Sequence, residues 1–149
     1  MAAEPAPCDT FIDSTGAAGN IICLTANDVD DNGNLKNFPN NNGVIFFYAD
    51  WCGHCKVAKP EFAAFSNKIK GTNTRAFAVN ADKNRDLLNK IKPAAWGYEV
   101  RGFPTIVGYA NGKFFSEYGF DPAPQATFRK ADDFVQYSNG LGTATVEWQ

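Results

Sequence analysis

Apolar residues along this chain fall into short blocks with two different periods. Val44-Ile45-Phe46-Phe47-Tyr48-Ala49 is a continuous apolar run with aromatic residues, the pattern of a buried strand. After it, Ala58, Phe62, Phe65 and Ile69 recur at spacings of four, three and four, which line one face of a helix. That helix is predicted over 53–70, with Gly71 as its stop. Asn20 to Thr25, with Ile21, Ile22, Cys23 and Leu24, reads as a first strand. Arg75 to Asn80 puts Ala76 and Ala78 on one face and Phe77 and Val79 on the other, a further strand. Lys83 to Lys92 carries Leu87, Leu88 and Ile91 at helical spacing and is stopped by Pro93. Thr105 to Tyr109 and Phe114 to Tyr118 flank Asn111-Gly112, a strong hairpin-turn signal. Lys130 to Ser138, with Ala131, Phe134 and Val135, reads as a last helix closing near Gly140. Residues 1–19 read as an irregular arm, and 26–43, with Val29, Leu35 and Phe38, as loop or brief helix.

The junction of the buried strand and the first long helix carries Trp51-Cys52-Gly53-His54-Cys55-Lys56. A sulfur at Cys52 there faces the free N–H groups and the positive dipole end of the helix. Such a setting favours a thiolate and lowers a thiol pKa from about 8.5. Cys55 lies one turn further in, within bonding reach. Cys-x-x-Cys alone is weak as a signal, because half-sites for zinc have the same spacing. The chain's single histidine, His54, leaves these three residues too cramped for a closed zinc shell.

Two blocks together resemble the catalytic domains of protein disulfide isomerases, within the thioredoxin superfamily. Phe47 to Lys56, continuing into Pro60-Glu61-Phe62, is similar to the active-site stretch and its helix-kinking proline. Tyr98-Glu99-Val100-Arg101-Gly102-Phe103-Pro104-Thr105-Ile106 resembles the loop that holds the family's cis-proline. The resemblance covers roughly residues 20–141 as a thioredoxin-like domain, with a tail at 142–149. It implies an α/β thioredoxin fold, a central mixed sheet flanked by helices, here with an N-terminal extension. It implies Cys52 as nucleophile and Cys55 as resolving thiol. It implies a substrate-binding rim of Trp51, Gly53, Gly102, Phe103 and Pro104, where an extended chain would pair with the edge at Phe103. His54 would stabilise the reduced state and hold the potential near about −180 mV rather than about −270 mV, a difference of roughly 4 kcal/mol for two electrons. Arg101 falls where an isomerase arginine helps the second thiol ionise; a solvated surface arginine is its plainer reading.

One position departs from the pattern. The family has a buried acid six residues before the first cysteine, and this chain has Phe46. That acid is the usual acceptor of the resolving thiol's proton, so proton removal from Cys55 is expected to be slower here and turnover to depend more on Arg101 or solvent. Asp28-Val29-Asp30-Asp31-Asn32-Gly33-Asn34-Leu35 imitates half of a calcium-binding loop, but Pro39 stands where the bidentate Glu belongs. An acidic turn is the expectation.

Composition narrows the setting more than the chemistry. The chain's 149 residues fit one domain with a normal core. A net charge of −2 makes no case for nucleic acid or an anionic membrane, and no apolar run spans a bilayer. Cys8 and Cys23 fit three arrangements: a bridge that ties the arm to the first strand, a buried Cys23 with a mobile Cys8, or an accessory redox pair. The expected partners are cysteine-containing protein substrates and a sulfhydryl oxidase or reductase; a monomer without cofactor is expected. The CGHC sequence favours an oxidising, ER-like compartment. No basic-then-apolar leader or retention signal is visible, which keeps cytoplasm and virion open. Two other functions compete: a disulfide reductase, and a non-catalytic module that holds unfolded chains.

Overall fold

The computed structural model describes residues 8–31, 34–91, 103–111, 113–117 and 130–143. The elements run β1 (Ile22–Cys23), a 3₁₀ turn (Ala26–Asp28), β2 (Asn42–Tyr48), α1 (Gly53–Lys68), β3 (Thr74–Asn80), α2 (Arg85–Ile91), β4 (Thr105–Ala110), β5 (Lys113–Glu117) and α3 (Ala131–Thr143). They build a mixed sheet in the order β1-β3-β2-β4-β5. β1, β3 and β2 are parallel, and β4 and β5 are antiparallel to their neighbours.

β2 is central, and its continuous apolar run follows from burial on both faces. Successive side chains point to opposite sides. Val44, Phe46 and Tyr48 join the layer of α1 and α3, with Phe62, Phe65 and Phe134. Ile45 and Phe47 join the other layer, with Leu24, Val29, Leu35, Phe77 and Leu87. The strand starts two residues earlier than the apolar run, at Asn42. Gly43 can sit there because it has no side chain: a Cβ would lie 2.6 Å from Tyr109 Cε1.

α1 buries Cys55, Ala58, Phe62, Ala63, Phe65 and Ser66 along one face and continues past Pro60. It stops near Gly71, which holds φ +80°. The first strand is shorter than its apolar pattern, only Ile22–Cys23, although Leu24 still donates its N–H to Ala78 O. Of region 26–43, the described residues of 26–41 are the brief helical turn and loop that the composition predicts, and Asn42 and Gly43 already belong to β2. Val29 and Leu35 are fully or nearly buried and bridge each other, and the Lys90 ammonium donates to Ala26 O and Val29 O.

Two expectations change. α3 runs through Gly140 to Thr143 instead of closing near Gly140. Glycine costs a helix only about 1 kcal/mol, and the helix is already anchored by the buried Phe134 and Ser138 and by Tyr137, whose hydroxyl accepts from Gly108 N at 3.0 Å. The arm residues from Cys8 on are irregular yet tightly packed: Cys8 and Phe11 are buried in the α1 layer. Cys8 is bridged to Cys23, so the reading with a mobile Cys8 is overturned. Pro93, Gly112 and Tyr118 lie outside the described residues.

Candidate active site

The site is built where β2 ends. Ala49 O accepts the N–H of Cys52 at 3.1 Å, turning the chain from strand to helix. Asn80, buried at the end of β3, braces that turn by donating to Asp50 Oδ1 at 3.0 Å. Asp50 itself is exposed, as a residue outside the chemistry would be. Trp51 stands 71% exposed.

Cys52 is the residue that caps α1. Its backbone is extended, and its sulfur accepts the N–H of Cys55 at 3.1 Å. The N–H groups of a helix's first turn have no partner within the helix. Here one of them is aimed at sulfur, where it stabilises negative charge. Cys52 and Cys55 are joined as a disulfide with Cα atoms 5.3 Å apart. Cys55 is fully buried and Cys52 is 4% exposed. Gly53 and His54 beside them are exposed, and a Cβ on Gly53 would meet nothing within 4 Å. The open side of the sulfurs is therefore the side of Gly53, His54 and Trp51.

The second block comes to the same place. The Phe103–Pro104 peptide is cis. Phe103 O lies 3.2 Å from Cys52 Sγ, where a thiol in the reduced form would donate to it. The Phe103 ring meets Trp51 edge-on at 5.8 Å. So residues 51–52 and 103–104, far apart in sequence, meet at one place, with Trp51 exposed, Phe103 half-buried and Cys52 and Pro104 buried beneath. Arg101 and Gly102 lie outside the described residues.

Phe46 is fully buried, tilted at 30° against Phe62 with ring centroids 5.0 Å apart, and edge-on at 5.5 Å to Phe11. The position that would hold an acid is thus filled by a hydrocarbon core. Beside it, burial pushes the Tyr48 phenol up to about 12, partly opposed by the hydrogen bond from Asp9 N–H. Sequence reasoning missed the groups around Tyr48. Lys59 Nζ lies 4.3 Å from its ring centroid and 3.1 Å from Asp9 Oδ2. A legible hint was the position of Lys59, four residues after Cys55.

In the acidic loop Asp28 and Asp30 turn their carboxylates inward. Asp28 Oδ2 accepts from Thr25 N, and Asp30 Oδ1 accepts from Asn34 N. Among the described residues, no group of three or more His, Cys, Asp or Glu is placed to hold a metal. Asn32 and Gly33 lie outside them.

The thioredoxin family profile matches residues 25–131, most of the chain and both blocks of the site. The chain belongs to the thioredoxin family. It is 38% identical over 96 residues to the protein disulfide-isomerase of Oryctolagus cuniculus, covering 63% of this chain and 16% of that protein. It is 37% identical over 101 residues to protein disulfide-isomerase 2-3 of Arabidopsis thaliana, covering 66% of this chain and 20% of that one. The chain thus spans under a quarter of the length of these two curated relatives. Its thioredoxin domain is of the disulfide-isomerase-like kind. Among solved structures, the Trx4 domain of ERdj5 superposes with a TM-score of 0.58 at 21% identity, covering 82% of this chain and 95% of that one. That likeness supports the fold.

Proposed function

We propose that this chain is a thiol–disulfide oxidoreductase of the isomerase or oxidase type, acting on cysteine-containing proteins through Cys52 and Cys55. The observation that carries this reading is the placement of Cys52 Sγ, capping α1 and 3.2 Å from Phe103 O. In the oxidising direction a substrate thiolate attacks Cys52 Sγ, the Cys52–Cys55 bond breaks, and Cys55 leaves as thiolate. A second substrate thiolate then attacks the substrate sulfur of the mixed disulfide and releases Cys52 as thiolate. The substrate loses two electrons and the pair gains them. A sulfhydryl oxidase or other disulfide donor would recharge the pair. Isomerisation starts instead from reduced Cys52, with Cys55 resolving stalled mixed disulfides.

In this reading His54 supports the Cys52 thiolate, Arg101 assists ionisation of Cys55, and Trp51, Gly53, Gly102, Phe103 and Pro104 receive the substrate. With Phe46 in the core, Cys55 gives its proton to solvent or to a base outside β2. The test is refolding of a scrambled disulfide protein together with trapping of mixed disulfides. Cys52→Ser is expected to abolish turnover, and Cys55→Ser to accumulate substrate-linked protein on non-reducing gels. Full activity in the Cys52→Ser, Cys55→Ser double variant would contradict the reading and favour a holding module.

A further inference from the structure

The apolar cluster that encloses Cys52 and Cys55 also encloses Cys8, with Cys23 packed against it. Cys8 and Cys23 form the second disulfide, and Cys23 is fixed on β1 opposite Ala78 of β3. The arm that leaves Cys8 is laid along α1, the helix that carries the reactive pair. Phe11 sits edge-on to Phe46, Tyr48 and Phe62. Asn67 donates to Ala18 O, and Asn20 N–H to Ser66 Oγ.

Asp9, next to Cys8, is held at two points. Its N–H donates to Tyr48 Oη at 2.7 Å, and its carboxylate meets Lys59 Nζ at 3.1 Å. The Lys59 side chain is 19% exposed, and its ammonium lies over the Tyr48 ring. Lys59 stands four residues after Cys55 on α1, and residues at that spacing have Cβ atoms about 5–6 Å apart. Lys59 thus springs from α1 one turn after Cys55, and its partly desolvated ammonium is offset by an arm carboxylate.

We propose that Lys59 and Asp9 are positioning residues for exchange at Cys52–Cys55, and that the Cys8–Cys23 bridge is the fastener that keeps Asp9 on Lys59. This rests on the reading of Cys52–Cys55 as an exchange pair. The Lys59 charge favours a thiolate at Cys55 and so the reduced pair. Asp9 cancels part of that field. Opening the Cys8–Cys23 bond takes two electrons and two protons from an external dithiol, which closes to its own disulfide. Two thiols result, the Cys8 end is freed, and Asp9 loses its fixed place. Lys59 is then less neutralised, and the main pair becomes easier to reduce. The state of the second disulfide thereby tunes the oxidising power of the first.

The test is the equilibrium constant of Cys52–Cys55 with glutathione, measured by alkylation and mass spectrometry on the full chain. Asp9→Asn is expected to shift it toward the reduced pair by about three- to tenfold, and Lys59→Gln toward the oxidised pair by a similar factor. Asp9→Asn should add little in the Lys59→Gln background, since the two act as one unit. The Cys8→Ala, Cys23→Ala double variant should shift in the direction of Asp9→Asn. Asp9→Asn keeps the bridge, so it tests the coupling even where the double variant folds poorly. Constants within twofold of the parent for folded Asp9→Asn and Lys59→Gln would overturn the coupling and leave the arm a structural staple. A parent pair that never equilibrates with glutathione would instead overturn the exchange reading itself, and this coupling with it.

Discussion

Phe46 shows what one residue can decide. A buried carboxylate there would need a partner, since desolvating a charge is costly. The benzyl group instead packs on Phe11, Tyr48 and Phe62. Phe46→Asp is therefore expected to destabilise the fold by on the order of 3–5 kcal/mol, read by urea unfolding. An unchanged midpoint would mean that the aromatic cluster contributes little. The departure at Phe46 was legible because the motif around Cys52 fixes the register of β2. The pairing of Asp9 with Lys59 was not, since groups fifty residues apart are joined only by the path of the arm. Arg101 stayed an expectation drawn from resemblance.

At the scale of elements, the two hydrophobic periods located β2, β3, α1 and α2 to within a few residues. Strand ends and helix ends were less legible because neighbours decide them. β2 gains Gly43 by packing under Tyr109, and α3 outruns its glycine because Phe134 and Tyr137 already anchor it. The end of α1 depends on Gly71 at φ +80°, with open space around it. Gly71→Ala should then cost about 1–2 kcal/mol through backbone conformation alone, visible as a lowered melting temperature. The arm has a turn of its own. Asp13 Oδ1 accepts from Thr15 Oγ1, Thr15 N and Ala17 N, and these bonds, that from the Thr15 hydroxyl foremost, hold its carboxyl below the ordinary range. The turn's contribution is thus present above the ordinary carboxylate pKa and is lost as pH falls through the lower folded value. Amide shifts of Thr15 and Ala17 should report that loss while the core stays folded.

Across the whole molecule, the sheet brings residues near 52 and near 103 into contact, and the Cys8–Cys23 bridge closes the arm onto the same core. Composition left that bridge as one of three arrangements, because pairing depends on where the arm runs. Removing it by Cys8→Ala, Cys23→Ala should lower stability by about 2–4 kcal/mol. Alkali should act through the core phenols. Burial raises both Tyr48 and Tyr109 above the ordinary 10.0, Tyr48 to about 12. The neutral phenols therefore contribute stability below the unfolded value of about 10, which drains away as pH rises through the folded values. Thermal melts across that window should show a progressive fall. The central claim, that Cys52 and Cys55 form an oxidising exchange pair, is tested most directly by their reduction potential in glutathione buffers. A value near about −180 mV is predicted from Gly53-His54 between the cysteines. A value near about −270 mV would contradict it, showing that His54 does not set the poise and that the chain works as a reductase.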